Sequence, residues 1–227
     1  MNKIRKLITL ILLSGSVYFI YNLTNNKTII INSYGDNFQL GIDSYNKESK
    51  NYLDYYKEYL KEQRKKVVLE KEIDPYLSIK TLINKIDKEL RIKKQLMNSN
   101  YLILSIGYND LVSALSLEEN LNVKDYNKII TNISINYKEL ITKLKKYHKQ
   151  EIIVIGYYKT TKDDYYLNKG IRDLNNILKS NKDIIYIDTY TLLNDREKYF
   201  PNPTNNHPNQ KAYELIATKI IRKTLEK

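Results

Sequence analysis

Ile29-Ile30-Ile31-Asn32-Ser33-Tyr34-Gly35-Asp36-Asn37-Phe38-Gln39-Leu40-Gly41 is the stretch on which the fold turns. Its apolar run, Ile29 to Ile31, predicts a buried strand. Gly35 and Asp36 break the run, and Asn37 sits at the top of the turn. In an α/β enzyme the carboxyl end of the first strand is where a reactive group is exposed.

On the amino-terminal side, Lys3, Arg5 and Lys6 precede an uncharged stretch from Leu7 to Asn26, whose apolar part, Leu7 to Leu23, has 17 residues. That is the lower limit for a spanning helix. Ser14-Gly15-Ser16 supplies small residues for signal cleavage. Cutting there leaves a very short apolar core and strands Val17-Tyr18-Phe19-Ile20 on the product, so an uncleaved anchor is favoured. The basic flank stays in the cytoplasm and places the rest of the chain outside; a cleaved signal would give a secreted protein. Residues 1–26 are thus expected to be a membrane anchor with a short linker, and 27–227 a single domain.

On the carboxyl-terminal side, strands and helices alternate. A tyrosine-rich helix is expected over roughly Glu48 to Gln63, with Tyr52, Leu53, Tyr56 and Leu60 inward as core and rim packing. Lys66 to Glu70 reads as a second strand. After Pro75, a single helix from Ser78 to Leu96 should bury Ile79, Leu82, Ile83, Ile86 and Leu90. Tyr101 to Ile106 is a near-continuous apolar run of the parallel-sheet kind. A helix from Lys124 to Lys146, a strand from Glu151 to Gly156, a helix carrying Leu167, Ile171, Leu174 and Leu178, and a strand from Ile184 to Asp188 follow. The last helix starts near Asn209. The pattern predicts a three-layer α/β/α sandwich on a mainly parallel five-stranded sheet.

Composition bounds the partners. The net charge is +12 over 227 residues. The lysines are dispersed along helices rather than clustered beside aromatics, which fits a solvated surface better than a nucleic-acid site. No specific nucleic-acid binding is expected, although anionic envelope polymers remain open as partners. There is no Cys, so disulfides and Cys-type zinc sites are excluded. With two His and no ligand spacing among the acids, no metal is expected. Gly35 and Gly41 are too far apart for a dinucleotide fingerprint, so no cofactor is expected.

Three separated stretches should meet at one sheet edge: Gly35-Asp36-Asn37, Gly107-Tyr108-Asn109-Asp110, and Asn205-Asn206-His207-Pro208. Their order and placement resemble the SGNH (GDSL-type) hydrolases over residues 28–225. Gly35, Asp36, Phe38 and Gly41 fit the first family block, Gly107, Asn109 and Asp110 the third, and His207, Pro208 and Tyr213 the fifth. The resemblance implies that the Asn109 amide, beside Gly107, donates to an oxyanion and that His207 is the general base. Three family positions differ. Asn37 stands where the nucleophilic serine belongs. Thr204 and Asn205 stand where an acid should precede the histidine. No glycine occupies the second block near Leu77-Ser78-Ile79. His148, alone in a loop, is expected to be exposed.

An amide is a very poor nucleophile. Removing the nucleophile of a triad costs about a millionfold in turnover. Ser33 is expected in or near the end of the strand, short of the reacting point, and Ser44 lies beyond the turn. The leading expectation is therefore a catalytically impaired esterase relative whose cleft, including Gly35, Asp36, Asp110 and Asn205, binds an acylated or glycan envelope ligand. The alternatives are an active esterase with a rearranged nucleophile, Ser33 or Ser44, and a non-catalytic scaffold for anionic envelope polymers.

Overall fold

The computed structural model describes residues 28–63, 65–117, 121–160 and 164–225, with Leu13, Ser14 and Ser16 as isolated positions before them. Five strands make one sheet: β1 (Ile29–Gly35), β2 (Val67–Ile73), β3 (Tyr101–Ser105), β4 (Ile152–Ile155) and β5 (Ile184–Ile187). Their order is β2-β1-β3-β4-β5, and every pairing is parallel, so the sheet is wholly rather than mainly so. Ile31 on β1 sits between Leu69 on β2 and Tyr101 on β3.

Nine helices are described: α1 (Tyr52–Glu62), α2 (Ile79–Lys88), α3 (Leu90–Asn98), α4 (Tyr108–Ser116), α5 (Val123–Tyr147), α6 (Tyr165–Ser180), the short α7 (Thr189–Leu192) and α8 (Arg196–Tyr199), and α9 (Gln210–Leu225). Side chains alternate across a strand, so each strand feeds two cores. Leu102 and Leu104 of β3 and Ile152 and Val154 of β4 pack with α2 to α6. Ile103, Ile153 and Ile155 face the other way, against Tyr52, Leu53, Tyr56, Tyr213 and Ile216 of α1 and α9. The tyrosines of α1 are core, as expected: Tyr52 and Tyr56 are fully buried.

Three expectations are corrected. The single helix over 78–96 is two, because Glu89 adopts extended backbone (φ −98°, ψ 112°) between α2 and α3. The break resets the helical phase. Leu90 is turned out, 63% exposed, and Ile92 and Leu96 take the inward positions. A helix not anticipated, α4, follows β3 directly. It is entered through Gly107, whose φ of +116° is a left-handed turn that suits glycine. His148 is 1% exposed rather than solvated. Its Nδ1 lies 3.0 Å from Ser99 Oγ and 3.2 Å from the Leu96 carbonyl, and its Nε2 lies 3.2 Å from the Glu151 carbonyl. Burial lowers its pKa, partly opposed by the Leu96 carbonyl.

The predicted anchor over 7–23 lies, apart from Leu13, Ser14 and Ser16, outside the described residues. Among the described residues no helix is long and apolar enough to cross a membrane.

Candidate functional site

The chain leaves β1 toward β2 on one side, and β3 continues to β4 on the other. A crevice outside the carboxyl ends of β1 and β3 follows from that reversal of direction. The structure has a cavity of about 150 Å³ there, lined by Asp36, Asn37, Phe38, Tyr108, Asn109, Tyr157, Tyr158, Thr160, Asn206 and His207. Asp36, Asn37, Asn109 and His207, three stretches remote in sequence, are thus brought together.

The turn after β1 is built to hold Asn37 at the rim. Asp36 caps a 3-10 turn, Asn37–Gln39, by accepting from the Phe38 N–H at 3.1 Å. Gln39 is fully buried. Its amide lies against Gly35, where a Cβ would come within 2.3 Å of it. Gln39 Oε1 accepts from Ser33 at 2.8 Å, and its backbone carbonyl accepts from Asn51, which caps α1. Gly41 has φ of +75°, and a Cβ there would meet the Ser49 carbonyl at 2.3 Å. Both glycines of the first block therefore shape the turn rather than touch the cavity.

Asp36 forms the cavity floor. It is 4% exposed. Besides Phe38, it accepts from the Tyr157 hydroxyl at 2.9 Å and from Ser105 Oγ at 3.4 Å. Burial pushes its carboxyl up to about 6, against the pull of these three donors. Burial likewise keeps the Tyr157 phenol protonated, so it is the donor in the pair.

Asn109 reaches the cavity from the first turn of α4. Its Nδ2 donates to the Pro75 carbonyl at 2.9 Å and the Leu77 carbonyl at 3.1 Å. The loop after β2 offers these carbonyls because it closes on itself: Asp74 accepts from the Tyr76 N–H and the Leu77 N–H, both at 2.9 Å. An amide has two hydrogens, and both are directed at backbone oxygens. Asp110 is placed behind the cavity, where its carboxylate accepts the Ile79 N–H at 3.0 Å and braces the start of α2. Gly107 likewise frames the site as the entry to α4 and does not line it.

His207 is held by its backbone. Its N–H donates to Asn205 Oδ1 at 2.8 Å, and its carbonyl accepts from Ser44 Oγ at 2.7 Å. Asn205 also donates to Asn46 Oδ1 at 2.8 Å, lacing this loop to the one after Gly41. Among the described residues, neither ring nitrogen of His207 has a hydrogen-bond partner. Burial lowers the imidazole pKa, opposed by Asp43, so the ring is neutral at neutral pH.

Neither serine raised as a substitute nucleophile lines the cavity. Ser33 lies within β1, 1% exposed, and donates to Gln39 and to the Ile103 carbonyl. Ser44 is fully buried and spent on His207.

Sequence reasoning missed the aromatic wall. Tyr108 and Tyr157 stack with centroids 5.4 Å apart, and Phe38 meets Tyr158 edge-on at 5.3 Å. A signal was present: Tyr157-Tyr158 follow β4 at the same sheet edge as the three motif stretches.

The profile of the family described as GDSL-like Lipase/Acylhydrolase matches residues 71–220. Among solved structures, a lipase from a goat rumen metagenome superposes with TM-score 0.73 at 20% identity, covering 86% of this chain and 97% of its own. An acetylxylan esterase from Geobacillus stearothermophilus gives 0.61 at 14% identity over 88% and 95%. A lipase/acylhydrolase from Enterococcus faecalis gives 0.58 at 17% over 86% and 94%. At these identities the likeness is one of fold. No curated protein matches by sequence.

Proposed function

This chain belongs to the GDSL-like lipase/acylhydrolase family, esterase-like hydrolases by descent, and on that premise we propose that it keeps the family's cleft as a binding pocket and has lost its serine-ester chemistry. The observation that carries the reading is Asn37 at the cavity rim, in the turn where the family pattern places the nucleophilic serine. Two further features support it. The Asn109 amide is committed to Pro75 and Leu77 rather than free for an oxyanion. Among the described residues no carboxylate hydrogen-bonds the His207 ring, Asp43 acting on it only through space, and Asn205 serves its backbone instead. The ligand we propose is an acylated or glycan component of the cell envelope. A small apolar acyl group fits the aromatic wall, and the Asp36 and Asn206 side of the cavity offers polar partners. We place residues 1–26 as membrane anchor and linker and 27–227 as a domain outside the cytoplasm.

The test is hydrolysis of a short-chain aryl ester by the purified chain. Wild type is expected to give no turnover above buffer. Asn37→Ser alone is expected to remain near that background, because the oxyanion donor and the acid are still missing. Wild-type turnover abolished by His207→Ala would overturn the reading.

A further inference from the structure

On the reading of the cavity as a ligand pocket, we propose that the group it takes is an organic ammonium, held by the Asp36 carboxylate against the rings of Phe38, Tyr108, Tyr157 and Tyr158.

The walls are suited to a cation. These four rings line the cavity, and their mutual contacts brace them: Tyr108 lies against Tyr157, and Phe38 against Tyr158. The face of an aromatic ring carries negative quadrupole charge and attracts an ammonium group, more strongly where water is excluded.

The floor is a carboxylate without a base. Asp36 accepts from Phe38, Tyr157 and Ser105, all neutral donors. An ionised carboxylate has about four acceptor sites, so these leave one over. The chain has 38 Lys and Arg, yet among the described residues none lines the cavity. Arg196 acts on Tyr158, but it is stacked on Phe200, Cζ 4.2 Å from the ring centroid, and donates to the Lys159 carbonyl. With its carboxyl pushed up to about 6 by burial, Asp36 is still mostly ionised at neutral pH. A cation in the cavity supplies the counter-charge that it lacks. A neutral acyl group uses the same walls and leaves that charge uncompensated.

The donors of the cavity are largely spent. The Asn109 amide gives its hydrogens to the Pro75 and Leu77 carbonyls, so the side chain has its oxygen left to offer. The Tyr157 hydroxyl goes to Asp36, the Tyr158 hydroxyl to the Asn206 carbonyl at 2.8 Å, and the Thr160 hydroxyl to Asn168 at 3.3 Å. Acceptor oxygen and ring face remain, the opposite polarity to an oxyanion hole. The amino end of α4, which favours an anion, is met by Asp110 in its own first turn. Asn37 and the His207 ring keep donors at the rim, which suit a hydroxyl or ester oxygen elsewhere on the same ligand.

The experiment is calorimetric titration of the purified chain at neutral pH with paired probes. Choline is set against its neutral carbon isostere, in which a tert-butyl group replaces trimethylammonium, and glucosamine against glucose. In one pair the charged probe should bind roughly tenfold tighter than its neutral partner. Preference for choline assigns the ammonium to a quaternary headgroup, and preference for glucosamine to an amino sugar; either upholds the proposal. Asp36→Asn should erase the preference by weakening the charged probe alone. Tyr108→Leu keeps apolar bulk without a ring face. It should weaken the charged probe and spare the neutral one, and it stands in if the Asp36 variant is misfolded. Equal binding within both pairs overturns the proposal and leaves the cavity an acyl or glycan pocket. Binding of no probe, or a preference that survives both substitutions, also overturns it. Wild-type turnover of the aryl ester sinks the loss of ester chemistry instead, and the charge preference is read independently of it.

Discussion

Asp36 is the residue on which the pocket's acid–base behaviour rests. A carboxylate has left water, and three hydrogen bonds from neutral donors do not compensate it fully, so its pKa rises from 3.8 to about 6. The sign follows from linkage. The folded state binds the proton more tightly than the unfolded chain, so this contribution is fully present below about pH 4. It is lost as the pH rises through about 6. A shift of this size corresponds to about 3 kcal/mol. Asp36→Asn keeps an acceptor for Phe38 and removes the buried charge. Denaturant melts of the variant should show a flatter dependence of stability between pH 4 and 7, and higher stability at pH 7.5. An unchanged slope would show that the carboxyl is well solvated. The same residue was legible in the sequence only as part of a motif. That it sits under Tyr157, 121 positions away, depends on β4 reaching the same edge.

At the scale of elements, the sequence located every strand, because runs such as Tyr101 to Ser105 and Ile152 to Ile155 are apolar on both faces and cannot lie at a surface. Helices were less legible where local chemistry outweighs periodicity. The apolar spacing from Ile79 through Leu90 continues smoothly across Glu89, yet the chain kinks there. The cost of exposing Leu90 is met by burying Ile92 and Leu96. α4 was hidden because its nine residues carry only one fully buried side chain, Leu111, too little for a periodic signal. The four motif residues of the pocket were legible, since strand order fixes which loops share an edge. The partners of Asn109 were not, because they are backbone carbonyls of a loop. His148 was misjudged for a related reason: its setting is made by three other segments, the end of α3, Ser99 and the turn into β4. His148→Ala removes the ring's buried hydrogen bonds with Ser99 and with the Leu96 and Glu151 carbonyls. It should cost about 1–3 kcal/mol, read from chemical denaturation. A loss below that range would mean water reaches these groups. Because burial lowers the pKa of His148, its contribution is present above the unfolded value and is lost as the pH falls through the folded one.

For the molecule as a whole, the wholly parallel sheet sets an order of events. β1 is the first strand in the chain, yet it is flanked on both sides. Its partners arrive late: Ile29 pairs with Val67 and Ile31 with Tyr101. Contacts so distant in sequence are closed slowly. In pulsed hydrogen exchange during refolding, the β1 amides should gain protection no earlier than those of β3. Early protection of β1 would point to an alternative, non-native pairing. The same topology weighs on biosynthesis. The strand that carries Asp36 and Asn37 at its end is made first and must wait for both its partners, and in the meantime Ile29-Ile30-Ile31 stands bare. A chain that emerges amino end first must keep that triplet from pairing with its neighbours until some seventy further residues are out. An interior strand of the finished sheet is thus an adhesive segment of the nascent chain, and a natural place for a chaperone to hold it.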